Sequence, residues 1–200
     1  EHALLQRAVD AVASQLPDTL NIDADKNRAI DNICFIVSGQ PTAWSSLLWP
    51  HMWSLDSRTV TMRGIRVRTY NFQLQGALGN GVLCHEMFHS LGAPDLYHYS
   101  SNGLSPAGRW DVMESNANPP QHMTAWMKYR YGKWIDAVPE IRTQGTYTLN
   151  LATSATDNIF KIASPYSTSE FFVVEYRKRG GVFETSLPGD GLIVYRINSA

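Results

Sequence analysis

The sequence has no basic block and no long apolar run. Its 17 lysines and arginines against 18 aspartates and glutamates give a net charge of −1, so binding to nucleic acid or to a membrane surface has no electrostatic support. No apolar stretch reaches the roughly 18 residues that a membrane-spanning helix needs. Internal repeats and low-complexity segments are also absent. We therefore expect a globular protein with no nucleic-acid partner and no membrane span.

Cysteine is scarce as well. Only Cys34 and Cys84 occur in the 200 residues, and both have apolar neighbours, which is typical of buried free thiols. A disulfide between them stays open, because the sequence does not give the distance between two thiols. The sequence starts at Glu1, without an initiating methionine or a signal peptide, as a processed or trimmed chain would.

The residues that are present can build a sizeable core. Apolar residues make up 44% and aromatic residues 11% of the chain, which suits one domain, or one domain with an appended subdomain. Residues 5–16 predict a helix, residues 32–38 a buried strand and residues 65–74 an edge strand or a half-exposed strand. A further helix is predicted at 123–131. The later strands are predicted at 146–151, 159–163, 171–176 and 192–197. Three tryptophans of one loop are predicted to pack in the core: Trp44, Trp49 and Trp53.

The most informative segment reads H-E-M-F-H-S-L-G-A-P-D and runs from His85 to Asp95. Residues four apart share one face of a helix, so His85 and His89 can direct ring nitrogens at one ion. Zinc binds histidine nitrogen and, in catalytic sites, takes three protein ligands and a water. Glu86 lies on the flank of that face, where its carboxylate can take a proton from the water. The spacing therefore predicts a zinc site with a general base.

The residues after the helix predict the third ligand. Gly92 can adopt a positive φ and end the helix, and Pro94 prevents the helix from resuming. Asp95 follows, where its carboxylate can complete a set of three ligands. His98 comes three residues later and is the weaker candidate. A downstream glutamate ligand, as in gluzincin aminopeptidases, would leave Gly92 and Asp95 unexplained.

An amphipathic core helix with incidental histidines is the alternative explanation of this segment. Its apolar face is predicted to pack inward and consists of Leu83, Cys84, Met87, Phe88 and Leu91. Such packing is compatible with zinc ligands on the other face of the helix.

A second segment, G-R-W-D-V-M, ends at Met113. A lone methionine is more often ordinary core, but at this place after the zinc motif it predicts the Met-turn of metzincins. Together with G-V-L-C-H-E-M-F-H-S-L-G-A-P-D-L-Y, this segment resembles the immune inhibitor A family of secreted zinc metallopeptidases. The likeness extends to residues 120–135, to the β-rich stretches 171–177 and 187–197, and to the Asp-rich stretch 23–32.

The resemblance implies a role for each motif residue. The zinc ligands are His85, His89 and Asp95, Glu86 is the general base, and Met113 is the Met-turn residue. In metzincins a strand above the cleft binds the substrate backbone by β-augmentation, and a solvated edge is the alternative for the strand predicted here.

The resemblance also implies a fold and a location. We expect an α+β fold with a twisted mixed sheet, an active-site helix and a Met-turn, followed by a β-rich C-terminal part. A metzincin-like catalytic domain is predicted over 1–137 and a β-rich extension over 138–200, separate or packed in the same domain. The chain ends just after a strand, which leaves a continuation of the native protein open. By family, we expect a secreted, periplasmic or cell-surface monomer.

The oxyanion-binding residue is not assigned by the resemblance. Astacins and serralysins have a tyrosine two residues after the Met-turn methionine, where this chain has Ser115. The candidates for that role are Tyr97, Tyr99, His122 and Tyr129. Glu114 either brings an acidic group near the cleft or is simply solvated.

The Asp-rich stretch predicts a second cation site or a polar turn. Four side chains occupy positions 1, 3, 5 and 9 of an EF-hand-like loop: Asp23, Asp25, Asn27 and Asp31. Arg28 at position 6 and Cys34 at position 12 exclude a true EF-hand. A looser calcium loop and a polar turn before the next strand are the two readings.

These features together predict a zinc-dependent endopeptidase that hydrolyses extracellular proteins or peptides through a metal-activated water. The alternative is a catalytically silent pseudopeptidase that binds protein or glycan. The presence of Glu86 argues against this alternative, because loss of the base would be the simplest route to inactivation.

Overall fold

The computed structural model describes residues 1–40, 49–100 and 103–199. It combines helices with small sheets, so the predicted α+β class is confirmed. The chain forms two compact units, Glu1–Ser90 and Leu91–Ala200. None of the helices in the described ranges has the length and apolar character needed to cross a membrane.

The described residues of the first unit form two α-helices and five strands. In chain order they are α1 (His2–Val12), β1 (Cys34–Val37), β2 (His51–Ser54), β3 (Thr61–Met62), β4 (Ile65–Arg66), β5 (Thr69–Leu74) and α2 (Asn80–His89). The predicted N-terminal helix is confirmed as α1, which buries Leu5 and Val9, four residues apart on one face. Full burial of such a side chain contributes about 1.5–3 kcal/mol to folding.

β5 is the central strand of a three-stranded mixed sheet, parallel to β1 and antiparallel to β2. The prediction of one edge or half-exposed strand over 65–74 is therefore wrong, since β5 is central and almost wholly buried. The extended segment is interrupted between β4 and β5, where Val67 is fully buried. Within β5, Asn71 pairs with Cys34 of β1 on one side and with Met52 of β2 on the other. Because both edges of β5 are already hydrogen-bonded, β5 has no free edge for a substrate strand.

The core of the first unit lies against one face of β5. Alternate side chains of a strand point to opposite faces, and Tyr70, Phe72 and Leu74 all belong to this core. The other buried members are Leu5, Val9, Ile30, Leu55, Val60, Met62 and Val67.

The tryptophans near β2 lie at the surface. Trp49 is 49% and Trp53 63% exposed, so the prediction that they pack in the core is wrong, and Trp44 lies outside the described residues. On the same strand, His51 lies beside the core aromatics, with its ring stacked 5.4 Å from that of Phe72.

The second unit contains a short helix and an antiparallel sheet. The elements are α3 (Ala125–Met127), which continues as a π-helical turn over Lys128–Gly132, then β6 (Phe160–Ala163), β7 (Glu170–Arg177) and β8 (Gly191–Asn198). The sheet order is β6-β7-β8. The helix predicted at 123–131 and the last three predicted strands are thereby confirmed. The buried core includes Ala125, Ile159, Phe171 and Val173.

The strand predicted at 146–151 does not form. Leu151 makes only a single bridge to Tyr176. The Asn150 amide instead donates to the Asp157 carbonyl at 2.7 Å, which closes a local turn and withdraws the segment from the sheet ladder.

Both cysteines are free thiols and partly buried, which confirms the simpler of the two expectations. Burial raises the pKa of Cys34 and of Cys84, so neither thiol is activated as a thiolate.

Candidate metal centre

The zinc motif lies on α2 and on the segment that follows it. The helix ends at His89, and the Ser90 amide caps it by donating to the Met87 carbonyl at 3.1 Å. Gly92 has φ +88°, a conformation that strains residues with a Cβ. The chain therefore turns away from the helix axis before Asp95, as the motif predicts.

The structure brings the three predicted ligand residues together. One ring nitrogen of His85, one of His89 and one carboxylate oxygen of Asp95 all lie within 4.8 Å of one another. Donors on a tetrahedral zinc, with bonds of about 2.0–2.1 Å, are roughly 3.3 Å apart. A small inward movement of the side chains would therefore suffice to bind one ion. His98 is not a member of this cluster.

Two adjacent motif residues are the buried polar side chains of α2. His85 is 5% and Glu86 7% exposed, whereas Leu91 is 46% exposed. The expectation that the apolar face packs inward is thus wrong for Leu91, because the chain has already left the helix there and turns at Gly92. Burying a histidine and an adjacent carboxylate is costly unless hydrogen bonds or an ion compensate them.

Asp95 is held by a tyrosine four residues later. The Tyr99 hydroxyl donates to Asp95 Oδ2, and this bond, more than burial, raises the pKa of Tyr99 to about 12. Asp95 Oδ1 is shielded from solvent. Tyr97 packs edge-on against Tyr99, with the ring centroids 5.4 Å apart. Of the oxyanion candidates, Tyr99 therefore serves Asp95.

The other two candidates for the oxyanion lie in different surroundings. Burial, with the positive charge of Lys128, lowers the pKa of His122 to about 4, so His122 is neutral at pH 7. Tyr129 packs against Trp126 at 5.4 Å between ring centroids. Neither contact assigns the oxyanion role, which stays open.

Met113 lies in a tight, fully buried turn. The Met113 amide donates to Asp111 Oδ1 at 2.8 Å, and the Glu114 and Ser115 amides donate to the Asp111 carbonyl, each at 3.1 Å. The Met113 carbonyl accepts the Leu96 amide at 3.0 Å. The turn is thus bonded to the residue next to Asp95, while its role as the floor of a zinc site stays a prediction.

Glu114 is bound within its own loop. Its carboxylate accepts the Ser105 hydroxyl at 2.6 Å and the Ala107 amide at 3.2 Å. Glu114 is only partly buried, so both expectations for this residue, the acidic group near the cleft and the solvated carboxylate, stay predictions.

Sequence reasoning missed a buried charged cluster in the second unit. Its members are Asp111, Lys128, Glu175, Arg177 and Glu184, each no more than 6% exposed. A signal was present: β7 alternates Phe171, Val173, Glu175 and Arg177 on one face, so two charged residues continue an apolar row inward. Within the cluster the carboxylates raise the pKa of Arg177 against the opposing effect of burial, and Arg177 lowers the pKa of Glu184.

Because of Lys128, the free energy of unfolding should change with pH in the alkaline range. Burial, followed by the charge of Arg177, lowers its pKa from 10.5 to about 8. Between these values the unfolded chain binds more protons than the folded one, so the free energy of unfolding should rise with pH, by up to about 3 kcal/mol. Below pH 8 the lysine is charged in both states and this dependence vanishes.

The rise of the free energy of unfolding with pH should be absent from Lys128→Met. It should be present in Lys178→Met, since Lys178 is exposed. Chemical denaturation at pH 7, 8, 9 and 10 measures it. Parallel pH profiles for wild type and Lys128→Met would contradict the assignment.

The Asp-rich stretch forms a compact loop. One carboxylate oxygen from each of Asp23, Asp25 and Asp31 lies within 4.8 Å of the other two. The same carboxylates accept backbone amides, among them Asn27 N to Asp23 Oδ1 at 2.9 Å and Ala24 N to Asp31 Oδ2 at 2.8 Å. Both the calcium loop and the polar turn are consistent with these bonds. Calcium stays a prediction, which a rise of the unfolding temperature with added Ca²⁺ would support.

Neither a protein-family model, nor a curated protein, nor a solved structure matches the chain. The metal centre is therefore inferred from its own residues and their geometry.

Proposed function

We propose that the protein is a zinc-dependent endopeptidase of the metzincin type, similar to secreted peptidases of the immune inhibitor A family. One observation carries the proposal: the donor atoms of His85, His89 and Asp95 converge within 4.8 Å, and the buried Glu86 adjoins the first of them on the same helix.

The donor set suits zinc. Two imidazole nitrogens and one carboxylate oxygen are zinc ligands, and three protein ligands leave a fourth position for water, as in catalytic sites. A calcium or magnesium site would instead be built from oxygen donors alone. When bound, zinc would supply a Lewis acid for the scissile carbonyl and would lower the pKa of the attacking water.

Glu86 is the residue to which we assign proton transfer. Its carboxylate accepts the proton of the attacking water and then delivers it to the nitrogen of the departing amine, which allows the peptide bond to break. Because Glu86 is 7% exposed, its charge acts in a medium of low dielectric, where it interacts more strongly with a nearby proton or cation than in water.

Asp95 and Tyr99 would act as one ligand unit. A carboxylate that ligates a metal is commonly held by an outer hydrogen bond, which limits its rotation, and the Tyr99 hydroxyl supplies such a bond to Oδ2.

In this proposal the substrates are extracellular proteins or peptides, the protein acts outside the cell as a monomer, and Met113 forms the Met-turn.

The test is zinc stoichiometry together with hydrolysis of a quenched fluorogenic peptide library. We expect one zinc per chain, cleavage of internal peptide bonds, loss of activity with a chelator, and recovery when zinc is restored. Zinc binding without cleavage would favour a zinc-binding protein that is catalytically silent. A chain that binds no zinc would overturn the proposal.

A further inference from the structure

Arg177 is the centre of a buried ionic group at the end of β7. Its guanidinium donates from Nε and Nη2 to the two carboxylate oxygens of Glu184, at 2.6 and 2.7 Å, and from Nη1 to Glu175 at 2.9 Å. Arg177 is 1%, Glu175 0% and Glu184 4% exposed. The planar fork of arginine, with its donors in fixed directions, makes this bidentate arrangement possible.

This group is bonded to two backbone segments that follow the zinc motif in the chain. Arg177 Nη1 also donates to the Trp110 carbonyl at 3.0 Å, just before the turn that contains Met113. Glu184 Oε1 accepts the His122 amide at 2.8 Å, and Glu175 Oε2 accepts the amide at the start of α3 at 2.5 Å. The β-rich part of the chain thereby holds both the Met-turn segment and the segment after it.

The turn passes this constraint toward Asp95. Asp111 bridges the two segments, because its Oδ1 accepts the Met113 amide at 2.8 Å and its Oδ2 accepts the Thr124 amide at 2.7 Å. The Met113 carbonyl in turn accepts the Leu96 amide at 3.0 Å. Hydrogen bonds, joined by the peptide bond between Trp110 and Asp111, therefore lead from Arg177 through the turn to the neighbour of Asp95.

A contribution to stability alone does not explain why this buried ionic group is present. Burying charges removes them from water at a cost that their mutual attraction barely offsets, and well-packed apolar residues of similar volume often give an equally stable protein. What apolar residues do not provide is a directed donor that holds one carbonyl in one place. The geometry favours a role in fixing the turn.

We infer that Arg177 is a positioning residue of the metal centre, which holds the 110–113 turn and through Leu96 sets the place of Asp95. The inference rests on the proposed function, since it takes Asp95 to be a zinc ligand. It also makes the β-rich C-terminal part a component of the metal centre, although none of its residues is among the ligands.

The test compares zinc affinity across matched variants. Arg177→Lys keeps the positive charge that compensates the two glutamates but lacks the fork that reaches the Trp110 carbonyl. We expect its zinc dissociation constant, measured by chelator competition, to rise about 10- to 100-fold, the range seen when an outer partner of a metal ligand is lost. The visible spectrum of the Co²⁺-substituted protein should change as well, because it reports the geometry of the ligands.

Two controls separate positioning from general destabilisation. Arg179→Lys is the same substitution two residues later, where the guanidinium donates to the Leu187 and Pro188 carbonyls. Val173→Ala weakens the core of the same strand. Both should keep the wild-type zinc affinity and Co²⁺ spectrum, even where the unfolding temperature of the metal-free protein falls.

The outcomes distinguish the two proposals. A wild-type protein that binds no zinc overturns the proposed function, and the positioning role with it. Zinc binding by wild type with unchanged affinity and spectrum in Arg177→Lys overturns the positioning role alone, as does an equal loss in Val173→Ala. If Arg177→Lys does not fold, Glu184→Gln replaces it, because glutamine keeps the shape but presents one acceptor oxygen to the fork. A smaller loss of affinity in the same direction is then expected, and none would overturn the role.

Discussion

Glu86→Gln should bind zinc as wild type does and lose nearly all peptidase activity. Glutamine has almost the same size and leaves the three ligand residues in place, but its neutral amide does not accept a proton from water. Positioned general bases contribute about 10²- to 10⁴-fold to the rate, so kcat should fall within that range. Because the substrate would still bind, KM should change much less than kcat.

The measurement is steady-state hydrolysis of the best library peptide, with zinc content determined on the same samples. Glu140→Gln is the matched control, since Glu140 pairs with Arg142 and Lys161 at the surface, where such pairs contribute little. Wild-type activity in zinc-loaded Glu86→Gln would show that another group transfers the proton. Loss of zinc from this variant would indicate that Glu86 supports the metal site itself.

His89→Ala and Asp95→Ala should both lose zinc at concentrations where wild type holds it stoichiometrically. Each removes one of the three donors that lie within 4.8 Å, and two remaining ligands do not make a stable zinc site. The loss of affinity should exceed the roughly 10- to 100-fold that removal of an outer partner costs. Activity should disappear with the metal.

His98→Ala is the control that also decides the third ligand. His98 is exposed and lies outside the cluster, so this variant should bind zinc normally. Isothermal titration with circular dichroism of the metal-free proteins gives affinity and fold together. Zinc retained by Asp95→Ala but lost from His98→Ala would transfer the third-ligand role to His98.

These two experiments separate the parts of the proposal. The ligand variants test whether the site holds a metal, and the Glu86 variant tests whether a bound metal is used for hydrolysis. A binding protein without turnover would pass the first test and show no activity in wild type. The Arg177 series then asks which distant residues keep the ligands in place.

Local patterns in the sequence predicted correctly those features that depend on a single helix, strand or turn. His85 and His89 share a face because the helix repeats every 3.6 residues, and Gly92 takes φ +88° where the motif requires the chain to turn. The strands β6, β7 and β8 formed where alternation predicted them. Each of these depends on neighbours in the chain, which the sequence displays directly.

The tertiary structure decided what depends on distant partners. β5 became a central strand because both β1 and β2 pair with it, and alternation alone does not say how many neighbours a strand has. Trp53 is 63% exposed although it lies opposite the buried Tyr70 of β5. Glu175 and Arg177 reach Ala125 and Trp110, 50 and 67 residues away in the chain.

For this protein, the sequence by itself predicted the donor residues and the proton acceptor, because zinc chemistry needs those side chains at that helical spacing. Only the tertiary structure decided that Asp95 joins the two histidines, that Tyr99 holds it, and that a charged group on β7 is bonded to the turn beside it. The physical reason is that hydrogen-bond partners and burial arise from packing between segments, and spacing along the chain does not specify them.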